Sequence, residues 1–144
     1  MDTKNIIIAS DHAGFELKEF LKLSLNEYTF IDMGTDSGAS VDYPDFGYKA
    51  AKALAEGHAD FAVVICGSGI GISIAANREP KVRCALCLNE DMARLARQHN
   101  NANMLALGAR FTKPAEALNL VTAFIGAEFE GGRHEARVEK LGDR

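Results

Sequence analysis

Short apolar runs rich in β-branched residues recur at residues 5–10, 29–33, 61–66, 83–88 and 103–107, and each carries the length and composition of a strand. Between the first two the period changes. Leu17, Phe20, Leu21, Leu25 and Tyr28 fall at three- and four-residue spacing, while Lys18, Glu19 and Lys22 occupy the other face, which predicts a helix covering a sheet. Pro44 and Pro114 stand where a first helical turn begins, and residues 91–98 share the helical bias. Glu130 to Lys140 reads as a short helix entered through Gly131 and Gly132, and residues 34–40 read as a loop. Strands that are apolar on both faces and alternate with helices predict a parallel sheet, because parallel neighbours need crossover connections. The expected fold is α/β: a five-stranded parallel sheet in a three-layer α/β/α sandwich of Rossmann-like type, one domain over residues 1–144.

Composition narrows the function classes. Hydrophobic residues make up 47% and charged residues 25%, but no apolar run approaches the roughly 20 residues that span a bilayer, so a membrane role is not expected. A net charge of −4 argues against a general nucleic-acid binder, although a local basic cluster can still hold a small anion. Met1 to Asn5 lead straight into the first strand without a signal-peptide pattern, and a cytoplasmic location is expected. Cys84 and Cys87 lie in an apolar stretch without a second ligand pair, so neither disulfides nor a structural zinc is expected from the three cysteines.

In an open α/β sheet, ligands bind beyond the carboxyl ends of the strands. Those positions hold Asp11-His12, Cys66-Gly-Ser-Gly-Ile-Gly, Asn89-Glu90 and Gly108-Ala-Arg110. Gly67, Gly69 and Gly71 let the backbone turn tightly and offer N–H groups to an anion at the start of the next helix. The same loop fits a packing turn or a nucleotide-phosphate loop. It lacks the lysine of a P-loop, however, and Ile72 breaks the Rossmann glycine spacing, so nucleotide binding ranks second. Cys66 precedes that helix start, where the dipole favours a thiolate able to act as a base. Cys84 and Cys87 read as core residues. Ser68 is a candidate donor to an oxygen or a compact turn residue. Asp11 and His12 can orient hydroxyls or move a proton, and Asp11 can equally cap the next helix. Arg133 and Arg137, four apart and flanking His134, suit a phosphate or form a solvated basic face.

Five segments together resemble the type B ribose-5-phosphate isomerases and the related galactose-6-phosphate and allose-6-phosphate isomerases. They are Ser10-Asp-His-Ala-Gly-Phe, Val41-Asp-Tyr-Pro, Ile65-Cys-Gly-Ser-Gly-Ile-Gly-Ile-Ser-Ile-Ala-Ala-Asn-Arg, Arg97-Gln-His-Asn-Asn-Ala-Asn and Glu130-Gly-Gly-Arg-His-Glu-Ala-Arg-Val. The resemblance implies an aldose–ketose isomerase of a small phosphorylated sugar, working through an enediolate, with no metal or other cofactor. It implies Cys66 as the base, with Ser68 and the amides of the Gly67, Gly69 and Gly71 loop on the enediolate. Asp11 and His99 would assist ring opening, Tyr43 and Asn100 would line the sugar, and His12, Arg110, Arg133 and Arg137 would hold the phosphate. Ser68 stands where many members have threonine, and Ile72 where another subclass has a catalytic glutamate. His99 and Asn100 fall just before the fifth strand, on the edge opposite Cys66, so a homodimer or dimer of dimers with shared sites is expected.

Overall fold

The computed structural model describes residues 4–142. Its strands are β1 (Asn5–Ser10), β2 (Thr29–Asp32), β3 (Phe61–Cys66), β4 (Cys84–Leu86) and β5 (Met104–Gly108). The helices are α1 (Phe15–Ser24), α2 (Tyr43–Ala55), α3 (Ile70–Ala76), α4 (Glu90–Asn100), α5 (Pro114–Gly126) and α6 (Glu135–Leu141). Pairing is parallel throughout, in the order β2-β1-β3-β5-β4. Right-handed crossovers then assign the helices to faces, because chain moving one way across the sheet must pass over one face and returning chain over the other. α1 and α4 accordingly share a core with α5, built on Ile6, Ile8, Val63, Ile65, Leu105 and Leu107. α2 and α3 pack on the opposite face against Ile7, Ala9, Ala62, Val64, Met104 and Ala106. The inner strands β1, β3 and β5 are therefore covered on both sides, the physical reason their sequences are unbroken apolar runs. Among the described residues, no helix is long and apolar enough to cross a membrane.

Three local expectations change. The second and fourth strands are shorter than their apolar runs, since Met33, Arg83, Cys87 and Leu88 lie outside the paired segments. Tyr28 lies beyond α1, which closes at Leu25, and meets Phe30 edge to face at 6.3 Å. Lys18 is not on a solvated face. Its side chain is fully buried, and its ammonium donates to Asp32 Oδ2 at 2.6 Å and to Glu19 Oε2 at 2.8 Å. Lys22 donates to the same two carboxylates. The edge strand β4 is partly covered by Asn77, whose amide donates to the Cys84 carbonyl and whose oxygen accepts the Cys84 N–H.

The Lys18 pairing also fixes the end of β2. Asp32 Oδ1 accepts the Gly34 N–H at 2.9 Å, and the Gly34 and Thr35 backbones then bond to Ser10, zipping the following loop onto the end of β1. Burial raises the Asp32 carboxyl, but hydrogen bonds from Lys18 and Lys22 outweigh it and hold the group below its ordinary value. Hydrogen bonding from Lys18 likewise lowers Glu19. Carboxylates lowered in the folded state stabilise fully above their unfolded values near 4, and the contribution is lost as pH falls through the folded ones. Asp32→Asn should therefore cost about 1.5–3 kcal/mol at neutral pH, the range for a hydrogen bond to a charged group. The deficit should shrink towards pH 3. Urea denaturation at both pH values measures it, and an equal deficit at both would show that charge is not what Asp32 supplies.

Candidate active site

The chain leaves β1 towards one face and β3 towards the other, so a crevice opens where these neighbouring strands end. Register brings their last residues level: Ser10 faces Ile65, and Cys66 faces Gly108 of β5. Asp11 is buried in this crevice, its N–H bonded to the Ile65 carbonyl at 3.2 Å. Its carboxylate accepts the Gly14 N–H at 3.1 Å, holding the turn into α1 without capping the helix itself, whose N-cap is Gly14.

Cys66 is buried at the end of β3, and its sulfur accepts the N–H of Gly69 at 3.2 Å. The sulfur thus faces the loop that opens the next helix. Gly69 adopts φ 79° with Leu107 and Gly108 backbone atoms 2.9–3.0 Å from where a Cβ would stand, so only glycine fits. Ser68 Oγ accepts the Ile70 N–H at 3.1 Å, leaving its own proton to give. The loop amides thus divide in use: Gly69 serves the sulfur, whereas those of Ser68 and Gly71 make no hydrogen bond among the described residues and are free to donate to an oxyanion. The other two cysteines differ. Burial pushes the Cys84 thiol well above the ordinary range and the Cys87 thiol up to about 11, so both stay protonated as core residues.

Three further predicted residues gather at the same edge. His12 is exposed, and its Nδ1 meets the Val41 backbone, 3.1 Å from the nitrogen and 3.2 Å from the carbonyl oxygen. Tyr43 begins α2, and its ring lies 2.5 Å from a Cβ built on Gly71. Arg110 bonds through its N–H to the Gly67 carbonyl at 2.9 Å, and its guanidinium sits over Gly67, so a cation stands directly above the loop.

His99, Asn100, Arg133 and Arg137 are elsewhere. His99 and Asn100 end α4, next to the start of β5, and Asn100 lines a cleft of about 390 Å³ with Asn77, Val82, Arg83 and Leu141. The segment after α5 returns to this edge, where the Glu130 N–H donates to the Gln98 carbonyl at 3.0 Å. His134 lies flat on His99, ring centroids 4.3 Å apart. Arg133 belongs to a 3₁₀ turn (Gly132–His134) and Arg137 to α6, so the two do not share one continuous α-helical face as their spacing predicts. By the sheet topology these four residues stand at the edge opposite Cys66, away by about the length of a strand, roughly 17–20 Å. Sequence reading also passed over His134 and Glu130. Burial first, and then His99 and Arg133, push the His134 imidazole below its ordinary value.

The profile of the ribose/galactose isomerase family matches residues 6–141. The chain belongs to that family. It is 43% identical to ribose-5-phosphate isomerase B of Escherichia coli, over 96% of this chain and 94% of that protein. A crystal structure of a ribose 5-phosphate isomerase from Thermotoga maritima superposes with a TM-score of 0.97 at 48% identity, covering 99% of this chain and 100% of the other. The ribose-5-phosphate isomerase B of Mycoplasma genitalium, solved with bound ribulose-5-phosphate, matches with a TM-score of 0.88 at 42% identity, over 95% and 93% of the two chains. The sugar isomerase is thus an aldose–ketose isomerase on a five-stranded parallel sheet.

The loop geometry separates two glycine substitutions in this isomerase. Gly69→Ala strains a left-handed backbone against β5 and should destabilise by about 1–3 kcal/mol. Gly71→Ala meets only the exposed ring of Tyr43, so melting should change little while the Michaelis constant for the sugar rises. Thermal melts paired with steady-state kinetics check both, and equal melting shifts would count against this division.

Proposed function

We propose that the enzyme interconverts D-ribose 5-phosphate and D-ribulose 5-phosphate through an enediolate, with Cys66 as base. The observation that carries the reading is the Cys66 sulfur held against the Gly69 amide beneath a loop with free N–H donors. A thiolate there takes the proton from the carbon beside the carbonyl and returns it to the former carbonyl carbon, while the proton of the adjacent hydroxyl passes to the former carbonyl oxygen. Charge developing on the substrate oxygens meets the Ser68 hydroxyl and the loop amides, donors already in place before the proton moves. Asp11 and His99 open the sugar ring, and Tyr43 and Asn100 line the sugar. His12, Arg110, Arg133 and Arg137 hold the phosphate. The names of the Escherichia coli and Mycoplasma genitalium relatives support the pentose substrate. A substrate panel including galactose 6-phosphate, allose 6-phosphate and tetrose phosphates tests it, and faster turnover of any of those would replace ribose 5-phosphate. Three free cysteines accord with a reducing cytoplasm, where such a sugar phosphate would be met.

The site requires a second copy of the chain, because His99, Asn100, Arg133 and Arg137 lie a strand length from Cys66. Helices α3 and α4 flank the edge strand β4 and, with Leu88 of the turn before α4, expose Ile70, Ile74, Met92 and Leu95, an apolar surface of the kind buried between subunits. A homodimer, alone or paired into a dimer of dimers, brings the far edge of one subunit to the Cys66 edge of the other.

Cys66→Ala should lower turnover by roughly 10²–10⁴-fold, the worth of a positioned base, with sugar-phosphate affinity nearly unchanged. Near-normal turnover would remove Cys66 from the role. Arg133→Ala and Arg137→Ala should each weaken the substrate by roughly ten- to a hundredfold. Mixing exchanged Cys66→Ala and His99→Ala subunits should restore activity in hybrid sites carrying both intact residues. Verified heterodimers no more active than either parent would rule out the shared site.

A further inference from the structure

His99 lies in the last turn of α4, which ends at Asn100 before the chain turns through Asn101 in the left-handed region at φ 47°. Its imidazole makes no side-chain hydrogen bond among the described residues. The Glu130 carboxylate stands 3.7 Å from its Nε2, too far for a hydrogen bond, and is half exposed, so the attraction between them is weak. With nothing else to restrain it, a side chain held in this way would change rotamer freely. What lies against it is a second imidazole. The ring of His134 is stacked on that of His99, centroids 4.3 Å apart and planes 15° from parallel.

The second ring is fixed where the first is not. His134 is only 7% exposed, and its backbone N–H donates to the Gly131 carbonyl at 3.1 Å. The turn that carries it passes through Gly131 and Gly132, both left-handed at φ 67° and 56°. It is tied to α4 by the Glu130 N–H on the Gln98 carbonyl at 3.0 Å and by Arg97 Nε on the Ala127 carbonyl at 3.4 Å. Nε2 of His134 is buried without a hydrogen-bond partner among the described residues, so what this residue offers His99 is the face of its ring. Two flat rings in contact keep a defined tilt, whereas an aliphatic side chain of similar volume sets none. We propose that His134 is a positioning residue for sugar-ring opening, its buried ring holding the His99 imidazole in one orientation through the stack. This role rests on the reading above in which His99 opens the sugar ring.

Kinetics of His134→Leu and His134→Phe, with proton NMR of the parent, test this. The four histidines are few enough to assign, and the His99 ring protons should be shifted upfield by the stacked ring. Unshifted resonances would show a freely turning ring and overturn the role whatever the variants do. Leucine fills the space without a flat face, so kcat should fall roughly 10- to 100-fold while the Michaelis constant for ribose 5-phosphate stays within about twofold. Phenylalanine restores a flat face and should keep kcat near that of the parent. Arg133 shares the turn, so a merely structural disturbance would raise the Michaelis constant instead. In a His99→Ala background His134→Leu should cost nothing further, because its effect passes through His99. Parental kcat in His134→Leu, equal loss in the leucine and phenylalanine variants, a rise confined to the Michaelis constant, or a full further loss on His99→Ala would each overturn the positioning role while leaving ring opening with His99. Parental turnover in His99→Ala alone would take ring opening from His99, and the role of His134 with it.

Discussion

The common direction of the five strands governs where chemistry can occur in this chain. Parallel strands place every strand end on one edge and every helix-to-strand return on the other, and no side chain spans the distance between them. Cys66, the glycine loop and one arginine stand at the first edge, and two imidazoles and two arginines at the second. Each edge is chemically incomplete for a phosphorylated sugar that needs both a base and several cations. The proposed homodimer would meet this need without lengthening any loop, because a two-fold axis can oppose unlike edges twice over.

Close backbone approach is the second requirement of the site. The end of β3, the loop after it and the end of β5 meet so tightly that a Cβ on Gly108 would stand 2.4 Å from the Ser68 carbonyl oxygen, and one on Gly14 would stand 2.7 Å from that of Ile65. Small residues at these crossings let three strand ends share a crevice, and the exposed loop amides are products of the same crowding. Arg110 shows the coupling, since one residue both ties the β5 exit to Gly67 and stands over the loop as a cation.

Much of this was legible in the sequence because burial on both faces leaves an unambiguous trace. The runs that became β1, β3 and β5 were read almost to the residue, and Asp11, His12, Cys66 and Arg110 followed from the rule that ligands bind at strand ends. The edge strands were overestimated, since Met33 and Cys87 each give one last N–H to the neighbouring strand, to Ile8 and Ala106, and pack with the cores beyond the paired segments. Lys18 was misplaced because periodicity assigns any charge on the off-face to solvent, while its partner Asp32 lies fourteen residues away in sequence. His134 and Glu130 were hidden for a related reason: only the two-glycine reversal carries them onto His99, and a turn's direction is not encoded in spacing.

The Asn77 contact on β4 bears on how copies of the chain can meet. In a parallel strand, alternate residues point both backbone groups outward, so Cys84 would offer a free edge for another strand to extend the sheet. The Asn77 amide occupies that donor and acceptor at 2.8 and 2.9 Å. A side chain here impersonates the neighbouring strand. Growth by continuous β-addition, which leads to open filaments, is blocked at that residue.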